Sequence, residues 1–199
     1  MAYKFVIITD KYIDYLRKTE PRVMSNKAEN RIYHRKYLGI IEELNGYKYF
    51  IPLSSPKDKD YIQNGKPKND TLITIYIKDS KRLYGKLKFN NMIPVPEAEI
   101  IKYDLNDEGD FKYKLIVFNE LYFVRQNKDK IERTAINLYE AKKNQDNQPD
   151  GKKPLLEITL DFVKLEQLCD EYKKCNNLSD EKHSKDFDNR IRLEHGVYS

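Results

Sequence analysis

The Asn45-Gly46 dipeptide constrains the fold of this chain more than any other stretch. It separates two apolar, β-rich runs, residues 37–44 and 47–53. A two-residue hairpin turn of type I′ needs positive φ at both central positions, and Asn-Gly tolerates that geometry best. The sequence therefore predicts a pair of antiparallel strands. Pro52 has no backbone N–H to donate, so we expect the second strand to end, or to reach a sheet edge, at that residue.

The second run leads directly into Ser54-Ser55-Pro56-Lys57, which we call the SSPK segment. Pro56 favours an extended backbone at Ser55, which stiffens the segment where the strand ends. Two hydroxyls and an ammonium group in a rigid arrangement suit the binding of a phosphate. The same tetrapeptide is also common in ordinary polar turns. The spacing alone leaves both interpretations open.

Two blocks of the sequence resemble the ToxN/AbiQ family, the protein toxins of type III toxin–antitoxin systems. The first block follows an initial short strand and consists of Lys11-Tyr12-Ile13-Asp14-Tyr15-Leu16. The second block has, in the family's order, Gly39-Ile40, Asn45-Gly46, Lys48-Tyr49, Phe50-Ile51 and residues 52–57. Ser54 stands where many relatives have threonine, which keeps the hydroxyl. The resemblance covers the first third of the chain, and the remainder agrees in pattern only.

The resemblance implies an endoribonuclease toxin with a compact barrel like that of the Kid/MazF toxins, elaborated with helices. Its partner would be a small RNA of tandem repeats, folded as a pseudoknot, rather than a protein antitoxin. The toxin would cut this RNA, remain bound to the repeat units in a cyclic toxin–RNA assembly, and act in abortive phage infection. The resemblance also places Tyr12 at the active site. It puts a basic residue near that site at Arg35, four positions before Gly39.

We expect RNA cleavage without a metal or cofactor. The three histidines, His34, His183 and His195, are scattered, and the carboxylates do not cluster in an apolar frame. RNA supplies its own nucleophile, the 2′-OH, and its attack on phosphorus leaves a 2′,3′-cyclic phosphate. We expect Lys57 to supply positive charge or to act as a general base, and Ser54 and Ser55 to donate hydrogen bonds to the phosphate. Following the resemblance, Tyr12 would orient the sugar-phosphate or move a proton.

Basic side chains in three regions are candidates for binding RNA. We expect residues 22–36 and 57–68 to be surface loops, and residues 82–88 to be a strand with an exposed basic face. The candidate residues are Arg31, His34, Arg35, Lys36, Lys59, Lys66, Lys68 and Lys86. Solvated polar faces would explain the same pattern. A non-catalytic, basic RNA-binding module is therefore the alternative to the enzyme.

The order of periodicities predicts an α+β fold in one domain, residues 1–199, with residues 176–199 as a loosely ordered tail. Residues 3–9, 71–77, 82–89 and 99–105 have the pattern of further strands, which we expect to curl with the hairpin into a small antiparallel barrel. We expect helices from Asp10, as N-cap, to about residue 20, and over 111–126, 127–143 and 161–174. The helix at 111–126 is apolar nearly all round and is predicted to be buried, and Thr159 is expected to cap the last helix.

Composition limits the class of protein. The net charge of +5 permits a polyanionic partner without requiring one, and 12% aromatic residues argue against wholesale disorder. Cys169 and Cys175 are poorly spaced for a disulfide on one helix, which favours a reduced, cytoplasmic setting. No apolar run approaches the ~20 residues of a membrane span, and the N-terminus does not resemble a signal peptide.

Overall fold

The computed structural model describes residues 3–26, 33–40, 43–80 and 82–178. Within these ranges the chain forms a seven-stranded antiparallel sheet and a set of helices that lie mostly in the C-terminal half. The strands are β1 Phe5–Ile8, β2 Tyr37–Gly39, β3 Tyr49–Ser54, β4 Thr74–Lys78, β5 Leu83–Lys88, β6 Ile93–Pro94 and β7 Ile100–Lys102. The helices are α1 Asp10–Thr19, α2 Phe111–Gln126, α3 Lys128–Lys143, α4 Lys153–Glu157 and α5 Phe162–Cys175. The predicted α+β class is confirmed.

The sheet has the strand order β4-β5-β3-β2-β1-β7, and β6 pairs with β3 off this path. In the described part of the chain β4 and β7 do not pair with each other, so the sheet is not closed into the expected barrel. Strand β3 is the centre of the arrangement because β2, β5 and β6 all pair with it. The segment that leaves β3 is therefore held by several neighbours at once.

The predicted hairpin is present. Asn45 and Gly46 have φ of 54° and 80°, and Leu44 and Tyr47 exchange backbone hydrogen bonds of 3.0 Å across the turn. Strand β2 ends earlier than expected, at Gly39, although the Ile40 N–H still donates to the Tyr49 carbonyl at 3.0 Å. The Asn-Gly dipeptide thus correctly predicted the antiparallel pairing of β2 with β3.

Of the two outcomes expected at Pro52, the end of the strand is wrong, whereas a local sheet edge fits the structure. Pro52 pairs with Tyr37 inside the strand, and β3 continues to Ser54. Successive backbone groups of a strand face opposite sides, and the Leu53 N–H already faces β2, where it donates to the Lys36 carbonyl. The nitrogen of Pro52 therefore faces the other side, between the point where β6 stops and the point where β5 starts. Proline fits there because no neighbouring strand needs its N–H.

Two helices begin with caps other than the predicted ones. The hydroxyl of Thr9, not the carboxylate of Asp10, accepts a hydrogen bond from the Tyr12 N–H in the first turn of α1. Asp161 caps α5 by accepting from the Lys164 N–H, whereas the Thr159 hydroxyl donates to the Leu155 carbonyl at 2.7 Å. A cap side chain must reach the N2 or N3 amide, and only the observed residues stand at that distance along the chain.

The composition of helix α2 had predicted that it would be buried on all sides. This prediction is wrong, because one face of the helix is exposed. Its inner face packs against β4 and β5 and buries Val117 and Val124 completely. A helix lying on a sheet covers only one of its own faces, and the opposite face of α2 stays largely open in the described residues. Four large side chains on that face are exposed: Phe111, Leu115, Phe118 and Tyr122. In the described residues, no helix is long and apolar enough to cross a membrane.

Candidate active site

The SSPK segment is closed by a reciprocal pair of hydrogen bonds just beyond the end of β3. The backbone N–H of Lys57 donates to Oδ2 of Asp60 at 2.8 Å, and the backbone N–H of Asp60 donates to the Lys57 carbonyl at 2.8 Å. One turn of 3-10 helix, Asp58–Asp60, joins the two residues. Ser54 is meanwhile fixed in the sheet opposite Lys86. The segment is thus anchored at both ends, while Ser55 and Lys57 remain exposed.

A buried ion pair holds Asp60 in place. The ammonium group of Lys86 contacts the same Oδ2 that accepts from Lys57, and both side chains are about 5–6% exposed. Burial alone would raise the pKa of Asp60, but the hydrogen bonds from Lys86 and from the Lys57 amide outweigh it and lower that pKa below its usual value. Asp60 is therefore an ionised, immobile acceptor at neutral pH.

A cleft of about 380 Å³ opens beside this anchor. We call it the lysine cleft, because its lining combines Ser54 and Asp60 with five lysines: Lys57, Lys59, Lys68, Lys86 and Lys88. Burial and the nearby charge of Lys86 lower the pKa of Lys88, whose Nζ donates to the Thr74 hydroxyl at 3.1 Å. The side chains of Lys57, Lys59 and Lys68 are exposed, so these three present their charge to solvent. Such a cluster suits the phosphates of a nucleic acid.

Lys86 does not belong to an exposed basic face, contrary to the sequence prediction. The alternation along β5 does place it opposite the apolar positions, but the loop with Asp60 folds over that face and buries the lysine. Lys66, by contrast, is exposed and lines neither the lysine cleft nor the cleft described next. Of the loop lysines predicted to bind RNA, Lys59 and Lys68 are the two that the structure brings beside Lys57.

Another cleft, of about 490 Å³, lies on the other side of Ser54. We call it the tyrosine cleft, since Tyr33, Tyr84 and Tyr113 line it. Its remaining polar lining consists of His34, Arg35, Lys36, Ser54, Ser55, Arg82 and Glu120. The rings of Tyr33 and Tyr113 stack with centroids 3.7 Å apart and an interplanar angle of 6°. Because Ser54 lines both clefts, the SSPK segment forms the wall between a cationic surface and an aromatic one.

Arg35 and Lys36 are buried rather than part of a surface loop, which corrects the prediction for residues 22–36 at these positions. The Arg35 guanidinium donates to the Leu53 carbonyl at 2.7 Å and to the Ser25 carbonyl at 3.2 Å. These carbonyls need donors, and a guanidinium can serve several at once. Arg35 therefore supports the end of β3 directly before Ser54. His34 is exposed at the tyrosine cleft, and Arg31 lies outside the described residues.

The ammonium group of Lys36 is enclosed by aromatic rings. It donates to the Tyr113 hydroxyl at 2.6 Å and lies 4.1 Å and 4.4 Å from the ring centroids of Tyr113 and Tyr103. Burial lowers the pKa of Lys36 to about 8, against the opposing effect of Glu108 and Glu120. With 5% exposure, Lys36 fixes the tyrosine cleft rather than offering a free cation to RNA.

Tyr12, which the resemblance places at the active site, lies in the buried core of the structure. Its side chain is completely buried and lines neither the lysine cleft nor the tyrosine cleft. Its hydroxyl donates to the Pro94 carbonyl at 2.8 Å, and its ring packs 4.9 Å from that of Tyr172. Burial raises the pKa of Tyr12 well above its ordinary value. Tyr12 thus packs in the core and contributes to the lining of neither cleft, and its part in catalysis stays a prediction.

The sequence interpretation missed Glu120, a buried carboxyl in the tyrosine cleft. Burial raises the pKa of Glu120 to about 8, although the charge of Lys36 opposes the change. A signal was present, because Glu120 is the sole acidic residue in the otherwise apolar and basic α2. Tyr113 was also missed, whereas Lys88 lies in the strand over residues 82–88 that the sequence predicted to have a basic face. Over the described ranges, no group of three or more His, Cys, Asp or Glu side chains is arranged to hold a metal ion.

Comparison with known proteins gives a consistent family. Residues 4–170 match the model of the family described as Toxin ToxN, type III toxin–antitoxin system. The chain is 34% identical over 173 residues to endoribonuclease ToxN of Bacillus thuringiensis subsp. kurstaki, covering 86% of this chain and 84% of the relative. It is 31% identical over 183 residues to endoribonuclease AbiQ of Lactococcus lactis subsp. lactis, and the match covers 87% of this chain and 91% of the relative.

Solved structures agree with this result. One, from work on selective toxin inhibition by a non-coding RNA pseudoknot in type III systems, aligns with a TM-score of 0.73 at 32% identity, covering 87% of this chain and 99% of the other. The structure of AbiQ, described as a lactococcal anti-phage endoribonuclease, aligns with a TM-score of 0.69 at 27% identity. The alignment covers 87% of this chain and 99% of AbiQ. The fold, the hairpin and the SSPK segment thus occur together in a chain that belongs to the ToxN family of type III toxin–antitoxin toxins.

Proposed function

We propose that this protein is a metal-independent, sequence-specific endoribonuclease toxin that cleaves RNA at the SSPK segment. One observation supports this most: Ser54, Ser55 and Lys57 lie on a backbone that Asp60 and Lys86 immobilise between a cationic cleft and an aromatic one. Phosphate can be held from the lysine side while the adjacent nucleoside lies on the tyrosine side. Such an arrangement can hold a phosphodiester in a defined orientation. An ordinary polar turn would not require this anchoring between two clefts.

The reaction uses the 2′-OH of the substrate as nucleophile. The 2′ oxygen loses its proton and bonds to the adjacent phosphorus, the bond from phosphorus to the 5′ oxygen breaks, and that oxygen gains a proton. The products are a 2′,3′-cyclic phosphate and a 5′-OH. We assign to Lys57 the neutralisation of charge on the non-bridging oxygens, because its exposed ammonium can reach a bound phosphate. Ser54 and Ser55 donate hydrogen bonds to the same oxygens.

The same surface explains control by an RNA partner. A repeat RNA antitoxin, folded as a pseudoknot and held in a cyclic toxin–RNA assembly, would occupy Lys57, Lys59 and Lys68 after being cut, and thereby keep cellular RNA out. The relatives support this proposal, since one solved structure concerns toxin inhibition by such a pseudoknot. No protein antitoxin is needed. We place the reaction in the cytoplasm, where it would halt phage propagation by abortive infection.

Cleavage of cellular RNA in the presence of EDTA tests the proposal. The wild type should generate fragments with 2′,3′-cyclic ends, and Lys57→Ala should lower the rate on the order of 100- to 1000-fold. Lys18→Ala, which removes one exposed charge from α1, is the matched control and should cut at the wild-type rate.

An RNA with a single 2′-deoxynucleotide at the cleavage position should be bound but left uncut. Intact RNA with a folded wild-type protein would favour the non-catalytic RNA-binding module instead. Cleavage that EDTA abolishes and added metal restores would refute the metal-independent step.

A further inference from the structure

Lys88 lines the lysine cleft but takes no part in the proposed reaction. It lies on β5 two residues beyond Lys86, and the two side chains share one face of the sheet because side chains alternate along a strand. Lys86 stands opposite Ser54 in the pairing of β5 with β3. Two residues of a strand span roughly 7 Å, so the Lys88 backbone is displaced by that distance from the position opposite Ser54. This displacement is close to the spacing of successive phosphates in an extended RNA strand.

The ammonium group of Lys88 is held in place but has no acidic partner. It donates to the Thr74 hydroxyl at 3.1 Å, and within the described residues it forms no ion pair. An ammonium group has three N–H donors, so further donors stay available to a ligand. The side chain is half-buried, and burial together with the charge of Lys86 lowers its pKa although Asp60 opposes the change. A half-buried cation in this state gains most from an anion that enters the cleft.

The charge of the lysine cleft is unbalanced. In the described part of the chain its lining contains five lysines but one carboxylate, that of Asp60. Because Asp60 is paired with Lys86, four lysines remain without an acidic partner among the lining residues. These are Lys57, Lys59, Lys68 and Lys88. A phosphodiester carries one negative charge, so a single scissile phosphate would balance one of the four. The cleft therefore has the charge to bind more than one phosphate.

We propose that Lys88, fixed by the Thr74 hydroxyl, forms a second phosphate subsite, which binds the phosphodiester adjacent to the one at the SSPK segment. This inference rests on the proposed function, since it takes the SSPK segment as the site of the scissile phosphate. Thr74 is 5% exposed and lies opposite Lys88 in the pairing of β4 with β5, which makes it a rigid support. A phosphate contact carries no sequence information but fixes the position of the strand. The subsite thus aligns the RNA so that the scissile phosphate meets Ser54 and Lys57.

The salt dependence of RNA binding tests whether Lys88 contacts a phosphate. Lys88→Met removes the charge and keeps a side chain of similar length. The slope of log K against log [salt] for single-stranded RNA should become shallower by about 0.7, the contribution of one phosphate contact. Lys88→Arg retains the charge and should keep the wild-type slope. Lys18→Met, which removes an exposed charge from α1, is the control and should also keep it.

A purely structural role of Lys88 gives a different result. The free energy of unfolding of Lys88→Met would then change while the slope of log K against log [salt] stayed at the wild-type value. That result would overturn the inference. Loss of affinity through the subsite should also be equal for oligonucleotides of A, C, G and U, because the contact is to the backbone.

A scan with neutral phosphates locates the contact. Single-stranded RNAs carry one methylphosphonate at successive positions, a 2′-deoxynucleotide at the cleavage position and hydroxyl groups at both ends, so that no terminal phosphate supplies the contact. Lys57→Ala and Lys88→Met should each abolish the cost of neutralising one phosphate, which is the non-additivity of a direct contact. We expect the two phosphates to be neighbours. Coupling of Lys88 to no phosphate, to the same phosphate as Lys57, or to one farther away would contradict the inference.

The scan also separates this inference from the proposed function, because it measures binding and needs no cleavage. Coupling of Lys57 and Lys88 to neighbouring phosphates supports the subsite even where the wild type cuts no RNA and the endoribonuclease proposal fails. Cleavage in EDTA by the wild type, with no phosphate coupled to Lys88, overturns the subsite and leaves the endoribonuclease proposal intact.

Discussion

The pair formed by Asp60 and Lys86 allows the anchoring of the SSPK segment to be tested apart from overall stability. Asp60→Asn removes the charge but leaves a side chain of the same shape that can still accept from the Lys57 amide. Lys86, at 5% exposure, then loses its ion-pair partner. Removing one partner of a buried pair costs about 3–5 kcal/mol, a large fraction of the roughly 5–15 kcal/mol that stabilises a typical domain. We expect a loss of that size in urea unfolding.

The double change Asp60→Asn/Lys86→Met should recover most of this stability. Replacing a buried ion pair by groups without charge is often neutral, so the two changes are expected to be strongly non-additive in a double-mutant cycle. The folded-state pKa of Asp60 is lowered, so the pair stabilises the protein above the unfolded-state value near 4 and stops doing so as pH falls through the folded-state pKa. The wild type should therefore lose stability relative to the double variant as the pH falls through the folded-state pKa of Asp60.

The rate of RNA cleavage should depend on whether residue 60 accepts the hydrogen bond from the Lys57 backbone N–H, and not on the ion pair with Lys86. Asp60→Asn/Lys86→Met retains an acceptor for that amide and should cleave RNA within about tenfold of wild type. Asp60→Ala/Lys86→Met has no acceptor, and it should fold yet lose on the order of 100-fold, the scale of a misplaced electrostatic donor. Equal activity in the two double variants, with both folded, would refute the view that Asp60 positions the SSPK segment.

Three further predictions concern the hairpin, the cleft and the end of β3. Gly46→Ala puts a side chain at φ 80° and should cost roughly 1–2 kcal/mol in urea unfolding, while the control Gly109→Ala, where no heavy atom lies within 4 Å, should cost almost nothing. Glu120 is protonated when folded up to a pKa of about 8 but ionises near 4 when unfolded, so wild-type stability relative to Glu120→Gln should fall as pH rises from 5 to 8. Arg35→Lys removes the guanidinium that donates to the Leu53 and Ser25 carbonyls. The free energy of unfolding should fall by about 1–3 kcal/mol, and the rate of RNA cleavage should fall as well.

Local chemistry determined what the sequence predicted well. The hairpin followed from Asn45-Gly46 because positive φ is a property of the two residues themselves. The alternation of β5 and the length of α2 followed from periodicity in the same way. Each of these features depends on neighbours along the chain, so no knowledge of the tertiary structure was needed.

The errors share a different cause. Lys86, Arg35 and Lys36 look like exposed cations in sequence because lysine and arginine are seldom buried. Each is buried here by a partner far along the chain: Asp60 for Lys86, the Leu53 carbonyl for Arg35 and Tyr113 for Lys36. Sequence periodicity contains no information about such partners. The same applies to Glu120, whose pKa depends on burial beneath a cleft that forms only when α2 packs on the sheet.

These buried cations give the basic residues of the protein two separate roles. Lys57, Lys59 and Lys68 are exposed and can exchange water and ions for phosphates, so their effect on RNA binding should weaken as salt rises. Lys86, Arg35 and Lys36 are screened from solvent, and they contact Asp60, the end of β3 and Tyr113 respectively. Net charge alone cannot distinguish the two sets. An exposed basic residue would contribute to the site through attraction between its charge and the RNA phosphates. A buried one would contribute by holding in place the groups that contact RNA.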